Sequence, residues 1–126
     1  MTNDLIKNLE ISEKQAKDYG FYWPNSNEIM KQIRSECKEV EELLDSQNPS
    51  PKHLQEEIGD LMHAVFSLCV YCGFDSKITL EQALAKFEKR FAELKHFAEQ
   101  AGHKDLHGQT MEQMMQYWQK AKEVVG

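Results

Sequence analysis

Glycine and proline are scarce in this chain, and they fall in short gaps between long segments of helical periodicity. The 126 residues include six glycines and three prolines. Between the gaps, apolar residues recur every three or four positions, which is the spacing of an amphipathic helix. The pattern predicts five helices, near residues 4–18, 27–46, 51–73, 80–101 and 111–124, and no strand. The sequence therefore predicts an all-α fold, a helical bundle of about five helices.

Residues that commonly cap helix N-termini precede four of these segments. They are Ser26 or Asn27, Ser50, Thr79 and Thr110. Pro51 follows Ser50 at a position where a helix tolerates proline. Gln82 and Gln113 follow the two threonines at the spacing of a capping box. Since only a short turn separates the second and third helices, these two are predicted to form a central antiparallel hairpin.

Composition predicts one cytoplasmic domain over residues 1–126. Hydrophobic residues make up 40% of the chain and charged residues 29%, as in ordinary soluble proteins. No apolar run approaches the roughly 20 residues of a membrane span, and the first residues lack a signal-peptide pattern. A net charge of −6 argues against a nucleic-acid binder, which needs a basic surface. We therefore expect neither a membrane nor a nucleic-acid partner.

The three cysteines do not suggest a disulfide framework in a chain without a secretion signal. Cys69 and Cys72 have CxxC spacing, which is found in redox and zinc sites. They lie in the apolar run 64–72, however, and no second Cys pair stands at ligand spacing. Both are predicted to be small buried core residues.

Acidic residues on the second and third predicted helices form a candidate metal site. At about 100° per residue, Glu36 and Glu39 lie on one flank of the apolar stripe of the second helix. Glu57 and Asp60 lie on the flank of the third helix that has the same rotational sense. Glu39 and Glu57 each stand about nine residues from the turn, and Glu36 and Asp60 each stand about twelve. The two pairs therefore come level in an antiparallel hairpin.

Four carboxylates beside a core repel one another unless a cation neutralises them. A hard divalent cation with oxygen ligands is the simplest solution. The alternative is that all four side chains reach water and only keep the protein soluble.

A second metal interpretation rests on Asp60-Leu-Met-His63, which has the carboxylate-x-x-His step of di-iron bundles. His63 lies nearly opposite the apolar stripe of the third helix. His63 is instead predicted to be a surface or subunit-contact residue.

The order of these motifs resembles the MazG-type all-α nucleoside triphosphate pyrophosphohydrolases over residues 19–124. That family's two Mg²⁺-binding motifs, EExxE and EExxD, correspond to Ser35-Glu36-Cys37-Lys38-Glu39 and Glu56-Glu57-Ile58-Gly59-Asp60. Three further segments match, namely Tyr19-Gly-Phe-Tyr-Trp-Pro24, Lys86-Phe87-Glu88-Lys89-Arg90-Phe91 and Trp118-Gln-Lys-Ala-Lys122. The chain departs from the family at Ser35, where the first motif has Glu, and at Leu84, where Asn is usual.

The resemblance implies a hydrolase acting on phosphoric anhydrides, which converts an NTP or dNTP to the monophosphate and pyrophosphate. It implies Mg²⁺, with Mn²⁺ as a substitute. The candidate catalytic and metal-binding residues are Glu36, Glu39, Glu57 and Asp60. The candidate substrate-binding residues are Lys86, Arg90, Trp118 and Lys122. Lys86 and Arg90 are four residues apart on one helix face, so both can reach one polyphosphate.

A homodimer or homotetramer is also expected from the resemblance. Apolar side chains expected on the outer surface agree with assembly, namely Phe66, Val70, Met111, Met114 and Met115.

Two alternatives stay open at this point. The substitutions at Ser35 and Leu84 permit a non-catalytic helical module for dimerisation or metal binding. The second alternative is a sister enzyme of the same superfold that is specific for dUTP, dCTP or phosphoribosyl-ATP.

Overall fold

Five α-helices make up the structure, a computed structural model in which residues 4–126 are described. They are α1 (Leu5–Tyr19), α2 (Ser26–Asp45), α3 (Pro51–Tyr71), α4 (Ser76–Gln100) and α5 (Met111–Val125). Residues 4–126 contain no strand. The all-α prediction with five helices is confirmed.

The chain divides into two compact units, Met1–Thr79 and Leu80–Gly126. In the first unit, α2 packs along α3, and α1 contacts α3. Ile29 of α2 and Ala64 of α3 are buried there. In the second unit, which holds most of α4 together with α5, Ala98 and Ala121 are buried. Three of these four buried residues are alanines, whose small side chains allow close approach.

Two of the predicted helix starts are confirmed in detail. Ser50 accepts a hydrogen bond from the backbone N–H of His53, and Pro51 is the first residue of α3. Thr110 and Gln113 form the reciprocal bonds of a capping box at the start of α5. These bonds satisfy backbone N–H groups that the first turn of a helix leaves without an acceptor.

Two other predicted caps are wrong. The N-cap of α2 is Asn25, which accepts from the Glu28 N–H at 3.1 Å, and neither Ser26 nor Asn27. Asn and Ser have nearly equal capping preference, so residue type alone does not separate such neighbours.

The start of α4 lies at Ser76, ahead of the predicted capping box of Thr79 and Gln82. Asp75 accepts from the Ile78 N–H at 2.8 Å and therefore serves as the cap. Thr79 lies inside the first turn, where its hydroxyl donates to the Asp75 carbonyl at 2.7 Å. The carboxylate takes the capping position because it is the first suitable acceptor after the chain turns.

The cysteine prediction is wrong for Cys72, which is exposed, and Cys69 is only half-buried. Cys72 caps the C-terminus of α3, where the chain turns away at Gly73 with φ 80°. A residue at that end has too few neighbours to be buried. The Cys69 thiol lies 3.6 Å from the Thr79 hydroxyl oxygen.

Two glutamates attach α1 to the rest of the first unit. Glu13 Oε1 accepts from the Ser67 hydroxyl at 2.5 Å and lies 3.2 Å from Nε2 of His63. Glu10 Oε1 accepts from the Ser76 N–H at 3.0 Å. No residue of α1 is fully buried, so polar bonds supply much of its attachment. The prediction of His63 as a surface residue agrees with its exposed side chain.

Within residues 4–126, no single helix has both the length and the hydropathy of a membrane span. Only α3 and α4 taken together, as a bent pair, meet that test by length and composition.

The attachment of α1 can be tested by substitution. Glu13→Ala leaves the Ser67 hydroxyl, which is only 4% exposed, without its acceptor. We expect the free energy of unfolding to fall by about 1–3 kcal/mol in urea titrations. Adding Ser67→Ala should restore part of that loss, because the unpaired hydroxyl is then removed.

Lys14→Ala is the matched control on the same helix. It breaks an ion pair with Asp18 in which both side chains are exposed, at 75% and 63%. Its effect should stay below about 1 kcal/mol. Equal losses in the Glu13 and Lys14 variants would contradict the anchoring role of Glu13.

Candidate active site

Three carboxylates converge where α2 packs along α3. Glu36, Glu39 and Glu57 each offer an oxygen, and these oxygens all lie within 4.8 Å of one another. Glu36 and Glu57 are half-buried, and Glu39 is exposed. Residues three apart on a helix share a face, so Glu36 and Glu39 reach the same point on α3. The structure thus brings together three of the four predicted ligands.

Asp60, the fourth predicted ligand, borders this cluster. It is exposed, and its oxygens are not among those within 4.8 Å of one another. Its charge nevertheless raises the pKa of both Glu36 and Glu39. Asp60 therefore contributes to the negative potential at the cluster without belonging to its inner group.

The surroundings of Glu36 and Glu39 in this cluster disfavour the ionised form of both carboxyl groups. Partial removal from water raises the pKa of Glu36 most, followed by the neighbouring Glu39, while a hydrogen bond from Gln32 opposes the shift. A hydrogen bond to Glu57 and the charge of Glu57 are the main causes that raise the pKa of Glu39. A cation among these groups would favour their charged forms.

Two oxygens of the cluster are buried and have no hydrogen-bond partner among residues 4–126, namely Oε2 of Glu36 and Oε2 of Glu57. Burying such an oxygen without a partner is costly. A hard divalent cation takes carboxylate oxygens as ligands, so it would satisfy both atoms at once. The donor set of these residues fits Mg²⁺.

The predicted substrate-binding residues lie in the second unit, on α4 and α5. Arg90 places its guanidinium carbon 5.9 Å from the ring centroid of Trp118. The same guanidinium donates to the Gly126 carbonyl through Nη2 at 2.6 Å and Nε at 3.2 Å. Lys86 and Lys122 are exposed, one helical turn from Arg90 and Trp118 respectively. The structure brings Arg90 and Trp118 together and leaves the two lysines at the surface.

Part of the predicted apolar surface is confirmed. Met111 and Met115 are exposed, whereas Met114 is half-buried. The prediction is wrong for Phe66 and Val70, which are half-buried because α3 packs within the first unit.

Three residues near the candidate site were not predicted from the sequence. Gln32 donates to Glu36 Oε1 at 2.7 Å, and Nε2 of His53 lies 3.4 Å from Glu57 Oε1. Phe87 packs on Trp118 with ring centroids 5.7 Å apart. A usable signal for the first two was present, since each stands four residues before a predicted ligand, the spacing at which helical side chains meet.

Comparison with known proteins adds to this geometry. A model of the MazG nucleotide pyrophosphohydrolase domain matches residues 25–94, which include all four predicted metal ligands. The chain is 30% identical over 123 residues to the nucleoside triphosphate pyrophosphohydrolase/pyrophosphatase MazG of Thermotoga maritima, covering 95% of this chain and 46% of that protein. It is 29% identical over 110 residues to the nucleoside triphosphate pyrophosphohydrolase of Escherichia coli K12, covering 87% and 41%.

The chain thus spans less than half the length of these two curated relatives. The family model itself matches more than half of the chain, in the same segment that carries the carboxylate cluster. The chain therefore belongs to the MazG nucleotide pyrophosphohydrolase family.

Proposed function

We propose that this protein hydrolyses a nucleoside triphosphate, NTP or dNTP, to the monophosphate and pyrophosphate with Mg²⁺ at the α2–α3 carboxylate cluster. One observation carries the proposal. Three carboxylates from two helices offer oxygens within 4.8 Å of one another, and two oxygens of this group are buried without a partner in the described part of the chain. Without a cation such an arrangement is unfavourable, because the carboxylates repel one another, whereas around a hard cation it is favourable. The names of the two relatives agree with this activity.

Glu36, Glu39 and Glu57 would hold the ion, with Asp60 as a further ligand at the border of the cluster. When bound, Mg²⁺ supplies positive charge to the triphosphate and acidifies water at the site, and Mn²⁺ can take its place. Glu36 or Glu39 would accept the proton of the attacking water.

The cationic groups of α4 and α5 would bind the phosphates. Arg90 can offer two parallel N–H donors to phosphate oxygens, and Lys86 and Lys122 add positive charge on the same two helices. These groups would stabilise the charge that develops on the pyrophosphate leaving group. Trp118, which is half-buried against Phe87, provides a rigid aromatic surface beside Arg90.

Assembly of the chain as a homodimer or homotetramer is a further part of the proposal, with α2 and α3 as a central antiparallel hairpin. Four apolar side chains of α4 are 43–56% exposed, namely Leu80, Leu84, Phe87 and Phe91. Their spacing of four, three and four residues is that of a helix seam that packs on another helix. An exposed stripe of this kind marks an interaction surface.

The products of hydrolysis test the proposed function directly. We expect incubation with Mg²⁺ and a panel of NTPs and dNTPs to yield monophosphate and pyrophosphate, resolved by anion-exchange chromatography. Diphosphate and inorganic phosphate would contradict cleavage between the α and β phosphates. Absence of any product would favour the non-catalytic metal-binding module.

Glu57→Gln should abolish turnover in that assay while the helical fold is retained. The substitution removes a charged ligand, so the loss should exceed the roughly 10–100-fold effect typical of changes outside the ligand set. Glu41→Gln is the control, since Glu41 is an exposed carboxylate of α2 outside the cluster. Retained activity in the Glu57 variant would refute the metal assignment.

A pH effect follows from the raised pKa of Glu39. Between the ordinary carboxyl pKa and the raised value, the native state binds more protons than the unfolded state. The free energy of unfolding therefore falls as pH rises through this window, and the deficit persists at neutral pH. With EDTA present, Glu39→Gln should raise Tm at neutral pH, and the difference should shrink at mildly acidic pH.

Glu41→Gln again provides the comparison and should show no such pH-dependent gain. Excess Mg²⁺ should reverse the order, because only a deprotonated Glu39 can bind the ion. A Tm of Glu39→Gln below that of the wild type in EDTA would contradict the repulsion.

The oligomer prediction concerns the exposed stripe of α4. Light scattering at micromolar concentration should give a mass of at least a dimer of the 14.7 kDa chain. Leu84→Glu places a charge within the stripe and should shift the protein toward monomer. Lys89→Glu, an exposed position outside the stripe, should leave the mass unchanged. A monomeric wild type would disprove assembly through this face.

A further inference from the structure

On both helices of the carboxylate cluster, the residue four positions before a candidate ligand contacts one oxygen of that ligand. On α2, Gln32 Nε2 donates to Glu36 Oε1 at 2.7 Å. On α3, His53 Nε2 lies 3.4 Å from Glu57 Oε1. In both carboxylates the second oxygen, Oε2, is buried and has no partner among residues 4–126. The two helices thus present a similar arrangement, with a hydrogen bond on α2 and a longer polar contact on α3.

We propose that Gln32 and His53 are positioning residues, which fix the carboxylates of Glu36 and Glu57 so that Oε2 stays available to a divalent cation. This inference rests on the proposed function, because it concerns the same metal site. It assigns no contact with the metal to either residue. Each acts through the ligand that it holds.

The physical basis is the freedom of a glutamate side chain. A free carboxylate must lose rotamer freedom when it binds a metal, and that loss weakens binding. A hydrogen bond to Oε1 fixes the side chain beforehand. Helical residues four apart lie one above the other, so the donor needs no help from another element.

Asp60 provides an internal comparison. The residue four positions before it is Glu56, whose carboxylate cannot donate a hydrogen bond. Asp60 is also the predicted ligand that lies outside the inner group of oxygens. Glu36 and Glu57, which have a contact at this spacing, are inside that group; Glu39 is inside it too, although no contact with Ser35, four positions before it, is found among residues 4–126.

The role of His53 does not depend on its charge. Its Nε2 lies 3.4 Å from Glu57 Oε1, and the ring can carry an N–H at this position in one neutral tautomer as well as in the imidazolium form. Glutamine makes the equivalent contact on α2. His53→Gln should therefore preserve the function of this position, whereas His53→Phe should remove it.

The test measures Mn²⁺ binding to the protein without nucleotide, by electron paramagnetic resonance of the free ion. Gln32→Met and His53→Phe should each weaken Mn²⁺ binding about 10–100-fold, the effect usual for groups that orient metal ligands. His53→Gln should bind as the wild type does. Lys31→Ala is the control on α2, since it breaks only the exposed pair of Lys31 with Glu28. Circular dichroism of every variant checks that the helices are intact.

The outcomes separate this inference from the proposed function. Unchanged Mn²⁺ binding in folded Gln32→Met and His53→Phe would overturn the positioning role and leave hydrolysis untouched. Unchanged Mn²⁺ binding with a raised KM for the triphosphate would also overturn it, because the two residues would then contact substrate. A wild-type protein that binds no Mn²⁺ would overturn both proposals. Normal Mn²⁺ binding with no hydrolysis would overturn only the proposed function.

Discussion

Repulsion among carboxylates between α2 and α3 is the constraint on which the rest of this structure depends. Packing two helices normally brings apolar side chains together, yet here Glu36 and Glu57 are half-buried against each other and Glu39 closes the group. The raised pKa values of Glu36 and Glu39 mean that their charged forms are disfavoured in this cluster. Such local strain is retained at functional sites, where a ligand relieves it. The geometry of the cluster is compatible with a metal ion as that ligand.

The two compact units carry complementary chemistry. The first gathers oxygens that suit a hard cation, and the second carries Arg90, Lys86 and Lys122, which suit phosphate. Carboxylate oxygens are ligands that a hard cation takes, whereas guanidinium and ammonium groups are partners of phosphate. The proposed function calls for both kinds of group, and the chain holds both.

Helical periodicity explains how much of this site could be predicted. The rotation per residue fixes which side chains share a face, and so Glu36, Glu39 and Glu57 could be grouped from the sequence alone. Asp60 lies a further turn around α3, toward solvent, where a small error in helix rotation decides contact. Helix starts failed at Asn25 and Asp75 because several adjacent residues could cap equally well. Which carboxylate oxygens lack a partner, and which donors reach the other oxygens, depends on side-chain rotamers. Helical periodicity does not determine these rotamers.

The helix α3 contributes residues to two separate polar groups. One stretch of this helix supplies Glu57 to the carboxylate cluster, and the following turns supply His63 and Ser67 to the attachment of α1. Ala64 is buried between them. Substitution of Glu57, Ala64 or Ser67 would therefore disturb the first unit, whereas α1, which has no buried residue, depends on its two glutamates. Protein engineering that aims to change the nucleotide preference should accordingly spare α3 and begin elsewhere.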